Sequence, residues 1–196
     1  MIRPLYFHNP NQEGFEAIIK HLHSKNYKLI SIEERYSRLE KNDTKGKLAY
    51  ISFDDGWQGN LKLIPIIEKY NVHITIFIAV NPIMSGNFWW EFVAKKVGYT
   101  QMQNFKNLPH DEFESQLKKI KTEVADLQRS TMTIDELETI TKHPLISIQS
   151  HTINHPILTK LPDDLLDFEL SESQKQLEKI TGKSIFAFSS VSYTHL

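Results

Sequence analysis

The chain contains no cysteine. That excludes disulfides, thiolate nucleophiles, iron–sulfur clusters and Cys-type zinc sites, so any metal must rest on His, Asp or Glu. Excess charge is also missing: 23 Lys+Arg stand against 24 Asp+Glu, a net charge of -1. Without a basic stripe there is no overall electrostatic reason to bind nucleic acid or an anionic membrane. Long apolar runs are absent. The longest, Ile74 to Val80, is far too short to cross a bilayer, so no membrane span is expected. The opening Met1-Ile2-Arg3-Pro4 is not a basic segment followed by an apolar one. As written the chain reads as cytoplasmic; an extracytoplasmic or cell-surface location is the expectation if the N-terminus is incomplete. Internal repeats and low-complexity linkers are lacking too.

What is present is a chain of 196 residues with 40% apolar and 24% charged residues, the balance of one folded domain. Apolar, β-branched segments predict strands at Leu5–His8, Lys28–Ile30, Leu48–Phe53, His73–Val80, Leu145–Gln149 and Ile185–Phe188. Several run apolar without alternation, as strands buried on both faces of a parallel sheet do. Helices are predicted between them, at Glu13–Lys25, Asn60–Tyr70, Glu112–Gln128, Ile134–Thr141 and Asp163–Ile180. Thr133 with Glu136 reads as a capping box, and Gly182 as the stop of the last helix. Alternation of β and α implies an α/β fold. About six strands are visible, where a closed barrel needs eight and roughly 250 residues. The stretch 87–130, with Phe88-Trp89-Trp90, reads as an insertion or lid.

Two segments carry chemistry. Ser52-Phe53-Asp54-Asp55-Gly56 stands where an apolar strand stops, and Gly56 permits a sharp turn directly after the paired carboxylates. Ser150-His151-Thr152-Ile153-Asn154-His155-Pro156 follows another strand. Its two histidines, four apart, can face one ion, and Pro156 disfavours α geometry at His155. In parallel α/β folds active sites collect at these strand ends. Each segment alone fits an ordinary loop. Together they supply a His₂-carboxylate set, an open metal site with positions left for water and substrate.

Phe53-Asp54-Asp55-Gly56 and Ser150-His151-Thr152-x-x-His155-Pro156 resemble the first two motifs of the polysaccharide deacetylases, the NodB-homology or carbohydrate esterase family 4 enzymes. Supporting similarity runs from about Leu5 to Phe188, so the expected domain is 1–188, with 189–196 as a tail that does not match. The resemblance implies a distorted (β/α) barrel, here incomplete at its C-terminal end. It implies that Asp55, His151 and His155 ligate the metal, zinc or another divalent transition metal, and that Asp54 is the general base. It implies a substrate that is a carbohydrate polymer of the peptidoglycan, chitin-like or poly-N-acetylglucosamine class, relieved of N- or O-acetyl groups.

The family's third motif, a Pro-aromatic or Pro-x-Gly turn, is expected after Ile185–Phe188, where the chain reads Ser189-Ser190-Val191-Ser192-Tyr193-Thr194-His195-Leu196. The later motif that supplies a His acid has no counterpart, and His195 stands too close to the third-motif region to replace it. The alternative is therefore a catalytically impaired, carbohydrate-binding barrel; a metallohydrolase of another bond is a further rival. Thr152 and Asn154 are candidates to orient the histidines. His8 is a candidate to line the pocket. Trp89 and Trp90 are expected either to stack on sugar rings or to anchor the insertion. The Lys and Glu residues of the Asp163–Ile180 helix read as a solvated face.

Overall fold

The computed structural model of the chain describes residues 2–190. Of the tail, Ser189 and Ser190 are described; Val191 to Leu196, with His195, lie outside the described residues. Five parallel strands form one sheet: β1 (Ile2–Phe7), β2 (Lys28–Ile30), β3 (Leu48–Phe53), β4 (Ile74–Ile78) and β5 (Ile146–Ser150). Its path is β1-β3-β4-β5. β1 takes one edge of β3 along its whole length, while β2 and β4 share the other, pairing with residues 48–50 and 51–53. β3 and β4 are buried throughout, as their unbroken apolar sequences require of central strands. The expected strand at Ile185–Phe188 is reduced to a single parallel bridge, Ser150 with Phe188. Among the described residues the barrel is not closed.

The helices are α1 (Gln12–Ser24), α2 (Ile32–Glu40), α3 (Ile64–Tyr70), α4 (Val80–Ser85), α5 (Trp89–Val97), α6 (Tyr99–Phe105), α7 (His110–Glu123), α8 (Ile134–Ile140) and α9 (Asp163–Thr181). Their starts follow local chemistry. Asn11 caps α1 by accepting from Gly14 N, and Ser31 caps α2 by accepting from Glu34 N. Thr133 and Glu136 close the reciprocal capping box of α8, and Gly182, at φ 65°, ends α9. The expected helix at Asn60–Tyr70 begins instead as a 3-10 turn, Gln58–Leu63, before α3.

The period-two alternation of strands divides the sheet's two faces. Ala49, Ile51 and Phe53 of β3 and Ile74, Ile76 and Ile78 of β4 join Phe15 and Ile19 of α1 in the main core. Tyr50 and Ser52 of β3 and Phe77 of β4 point the other way and line a cleft of about 640 Å³. Residues 89–123 form α5, α6 and α7, with an apolar cluster of their own around Trp89, Val93, Phe113 and Leu117. Among the described residues no helix is long and apolar enough to cross a membrane.

Candidate active site

Asp54 continues the cleft-facing row Tyr50–Ser52 one step past the end of β3, and its backbone N–H donates to Phe7 O at 2.8 Å. Simple alternation would send Asp55 into the helix-side core. Asp55 instead adopts φ 78° and Gly56 φ 93°, and two successive left-handed residues fold the chain back. On β5, His151 extends past the strand, with its N–H donating to Ile78 O. Thr152 at φ 72° and His155 at φ 57° return the loop toward β3. Right-handed α geometry, which Pro156 disfavours, is thus avoided at His155, by a left-handed rather than an extended backbone. β3 and β5 lie two strand spacings apart, about 10 Å, and these turns close that gap. A β-branched residue at positive φ is costly, and such strain collects at functional sites.

The side chains converge. Asp55 Oδ1 lies 3.3 Å from His151 Nε2 and 3.1 Å from His155 Nε2. One ligand atom from each of the three residues lies within 4.8 Å of the others. Asp55 Oδ1 is buried, with both Nε2 atoms set against it. His151 Nδ1 faces Ser189 O at 2.8 Å. A carbonyl can only accept, so Nδ1 carries a proton, and Nε2 is the nitrogen left for a metal once the ring is neutral. Two imidazole nitrogens and one carboxylate oxygen turned toward one point are a donor set for a divalent cation. Tetrahedral zinc, with bonds near 2.0–2.1 Å, sets neighbouring ligand atoms about 3.3 Å apart, which the two separations from Asp55 match. Zinc or another divalent transition metal fits here.

Burial alone would raise the Asp55 carboxyl, but the two imidazoles outweigh it and hold Asp55 well below the usual carboxylate range. Burial and the neighbouring His151 hold His155 down, in the neutral form that a ligand needs. Burial pushes the Asp54 carboxyl up. Asp54 Oδ1 is buried without a hydrogen-bond partner, and Oδ2 receives only a long contact, 3.5 Å, from Ser189 Oγ.

A polysaccharide deacetylase family model matches residues 41–191, most of the chain. The chain belongs to the polysaccharide deacetylase family. It is 24% identical over 173 residues to YxkH of Bacillus subtilis (strain 168), a protein classed as a polysaccharide deacetylase; the match covers 87% of this chain and 46% of that one. The chain therefore spans about half the length of this curated relative. Solved structures share the fold at low identity. IcaB from Ammonifex degensii superposes with a TM-score of 0.68 at 14% identity, over 97% of this chain and 73% of that one. A Bacillus cereus polysaccharide deacetylase gives 0.66 at 20%, over 100% and 52%. The Streptococcus pyogenes deacetylase PplD, solved with acetate, gives 0.63 at 18%, over 95% and 71%.

In this member of the polysaccharide deacetylases, the other sequence-selected residues fall around the cleft. His8 is exposed and lines it. Thr152 Oγ1 accepts from His155 N at 3.0 Å, so it orients the second histidine through the backbone. Asn154 bridges two elements: its Oδ1 accepts from Asn81 Nδ2 of α4, and its Nδ2 donates to Glu169 of α9. Trp89 is buried against Phe113 and donates from Nε1 to His155 O at 3.1 Å, so it anchors α5 to the histidine loop. Trp90 lines the cleft beside it, ring against ring with His155 at 4.7 Å.

Three contributors escape the sequence reading. Ser189 holds His151 although the sequence reading ends the domain at 188, while the family match runs on to 191; a backbone carbonyl leaves no trace in side-chain patterns. Trp57, two residues after Asp55, donates from Nε1 to Asp55 Oδ2 at 2.8 Å; its closeness to the Asp pair was the available signal. Glu169 corrects the solvated-face reading of α9. It is 5% exposed, and Oε2 accepts from Ile153 N (2.8 Å) and Asn154 N (2.9 Å). The buried stripe of α9 is Glu169, Ser173, Leu177 and Thr181. Its polar members are each partnered: Glu169 accepts from the N–H groups of the loop behind β5, Ser173 meets Ser150 Oγ, and Thr181 donates to Leu177 O.

Gly56 offers a local test. A Cβ there would stand 2.9 Å from Ile78 Cδ1 and 3.0 Å from Ile83 Cδ1, on a backbone at φ 93°. Gly56→Ala is expected to destabilise the fold by about 1–3 kcal/mol, read as a lower midpoint in denaturant unfolding. An unchanged midpoint would contradict the strained turn.

Proposed function

We propose that this chain is a metal-dependent hydrolase that removes N- or O-acetyl groups from a polysaccharide of the peptidoglycan, chitin-like or poly-N-acetylglucosamine class. The observation that carries the reading is the meeting of Asp55 Oδ1, His151 Nε2 and His155 Nε2 beside the unpartnered Oδ1 of Asp54, in one cleft. Asp55, His151 and His155 would hold the ion, with zinc the leading candidate. A divalent ion there supplies Lewis-acid polarisation of the acetyl carbonyl and acidifies water. Asp54 is the general base. It lies outside the triad, its free oxygen is desolvated, and its raised basicity suits proton abstraction from the attacking water. Adjacent carboxylates thus take separate roles because the left-handed turn at Asp55 aims them apart. Trp57, Trp90 and Tyr99 on the cleft wall offer apolar faces to sugar rings.

The test is metal content together with acetate release from N-acetylglucosamine oligomers and from acetylated peptidoglycan fragments. One equivalent of metal and metal-dependent acetate release are expected. Asp55→Ala is expected to lose the ion, as measured by elemental analysis after dialysis, and to lose turnover with it. Metal bound with no acetate released from any acetylated glycan would favour a carbohydrate-binding barrel instead.

A further inference from the structure

The triad explains which atoms of Asp55 and the histidines face inward, but not what stops the Asp55 carboxylate from rotating. A carboxylate offers two equivalent oxygens, and it presents one of them reliably only if something engages the other. Asp55 is 1% exposed, so water does not serve that need. Trp57 does. Its indole N–H is a donor and nothing else, and it meets Oδ2 at 2.8 Å, leaving Oδ1 as the oxygen that faces His151 and His155.

The indole is itself held. Its ring centroid lies 4.6 Å from that of Phe88 and 6.4 Å from that of Trp90. Phe88 and Trp90 stack face to face at 4.4 Å, with planes 4° apart. The same Trp90 ring touches His155, and the neighbouring Trp89 binds the His155 carbonyl. The aromatic segment Phe88-Trp89-Trp90 therefore braces two of the three inward-facing groups from one side: Asp55 through Trp57, and His155 directly.

We propose that Trp57 is a positioning residue that fixes which oxygen of Asp55 faces the ion, and that the Phe88–Trp90 stack locks it in place; this rests on the reading of Asp55, His151 and His155 as metal ligands. Trp57 transfers no proton and touches no reacting atom. It acts through metal affinity, which falls when Oδ2 loses its donor and the carboxylate is free to turn.

The experiment measures zinc dissociation constants by chelator competition, with the melting temperature of the metal-free protein recorded alongside. Trp57→Phe keeps an aromatic ring against Phe88 and removes only the N–H. The expected result is zinc binding weakened about 10- to 100-fold, the range for loss of a group that orients a ligand, with the metal-free melting temperature little changed. A purely structural Trp57 would do the reverse, shifting the melting temperature and leaving the affinity of the folded fraction alone; that result overturns the proposal. Phe88→Leu leaves the N–H but loosens the indole, and a loss of roughly 3- to 10-fold is expected. If Trp57→Phe does not fold, Phe88→Leu decides, with unchanged affinity as the overturning result. If the unmodified chain binds zinc no more tightly than Asp55→Ala does, the ligand reading itself has failed, and the proposal falls with it.

Discussion

Asp54→Asn is expected to lower the rate of acetate release by about 10²- to 10⁴-fold, the usual contribution of a positioned general base, while zinc content stays at the unmodified level. The substitution is close to isosteric. It removes the capacity to accept a proton and leaves the backbone bond from Asp54 N to Phe7 O in place. Asp54 contributes no atom to the cluster of Asp55, His151 and His155, so metal binding gives the discriminating readout. Loss of both metal and activity would mean that Asp54 is a ligand. Retention of both would mean that another group takes the proton. The buried, unpartnered Oδ1 argues for the base assignment, because a desolvated carboxylate oxygen without a donor is more basic, and such groups collect at functional sites.

Glu169→Ala is expected to lower both stability and metal affinity from outside the cleft. Glu169 touches no cleft-facing side chain of the triad. Its carboxylate accepts from two consecutive backbone N–H groups, Ile153 and Asn154, and from the Asn154 side chain at 2.6 Å. Alanine leaves Ile153 N without an acceptor in a buried place and takes the acceptor from the two part-buried donors of Asn154. At about 1–3 kcal/mol for the buried group, and less for the two nearer water, the loss is about 2–4 kcal/mol. For a chain of this size that lowers the melting temperature by roughly 4–16 °C. The loop that Glu169 holds carries His151 and His155, so zinc affinity should fall as well. Glu169→Gln keeps one acceptor oxygen for the two N–H groups but sets an amide against the Asn154 amide. It should therefore lose about half as much stability. Equal stability of all three proteins, measured by thermal unfolding, would show that the loop does not depend on α9.

Local chemistry was readable along much of the chain. β2 and β3 were placed to the residue, and α8 within one, since unbroken apolar runs and a capping box depend on near neighbours. The short helices α4, α5 and α6 and the 3-10 turn before α3 were not foreseen. Pieces of six to nine residues are too short to hold by propensity, and each is stabilised by what it packs on: α5 by the Trp89 contacts to Phe113 and the His155 carbonyl, and α4 by bonds from Val80 N and Asn81 N to the loop carbonyls of Thr152 and Ile153. Glu169 was misread because its partners lie 15 and 16 residues away, and an acid on a helix otherwise resembles every solvated one.

The residue types set the kind of chemistry in advance: with no thiol available, an Asp pair and a His pair at two strand ends admit few reactions besides those of an oxygen- and nitrogen-held cation. Convergence was another matter. Asp55 and His151 stand nearly a hundred residues apart, and they meet because β4 lies between β3 and β5 and because Asp55, Gly56, Thr152 and His155 turn left-handed at the sheet edge. Strand order arises from burial of side chains across the whole sheet, and positive φ at Asp55, Thr152 and His155 persists only where surrounding bonds compel it. Neither is encoded within a window of neighbouring residues, so both belong to the folded molecule.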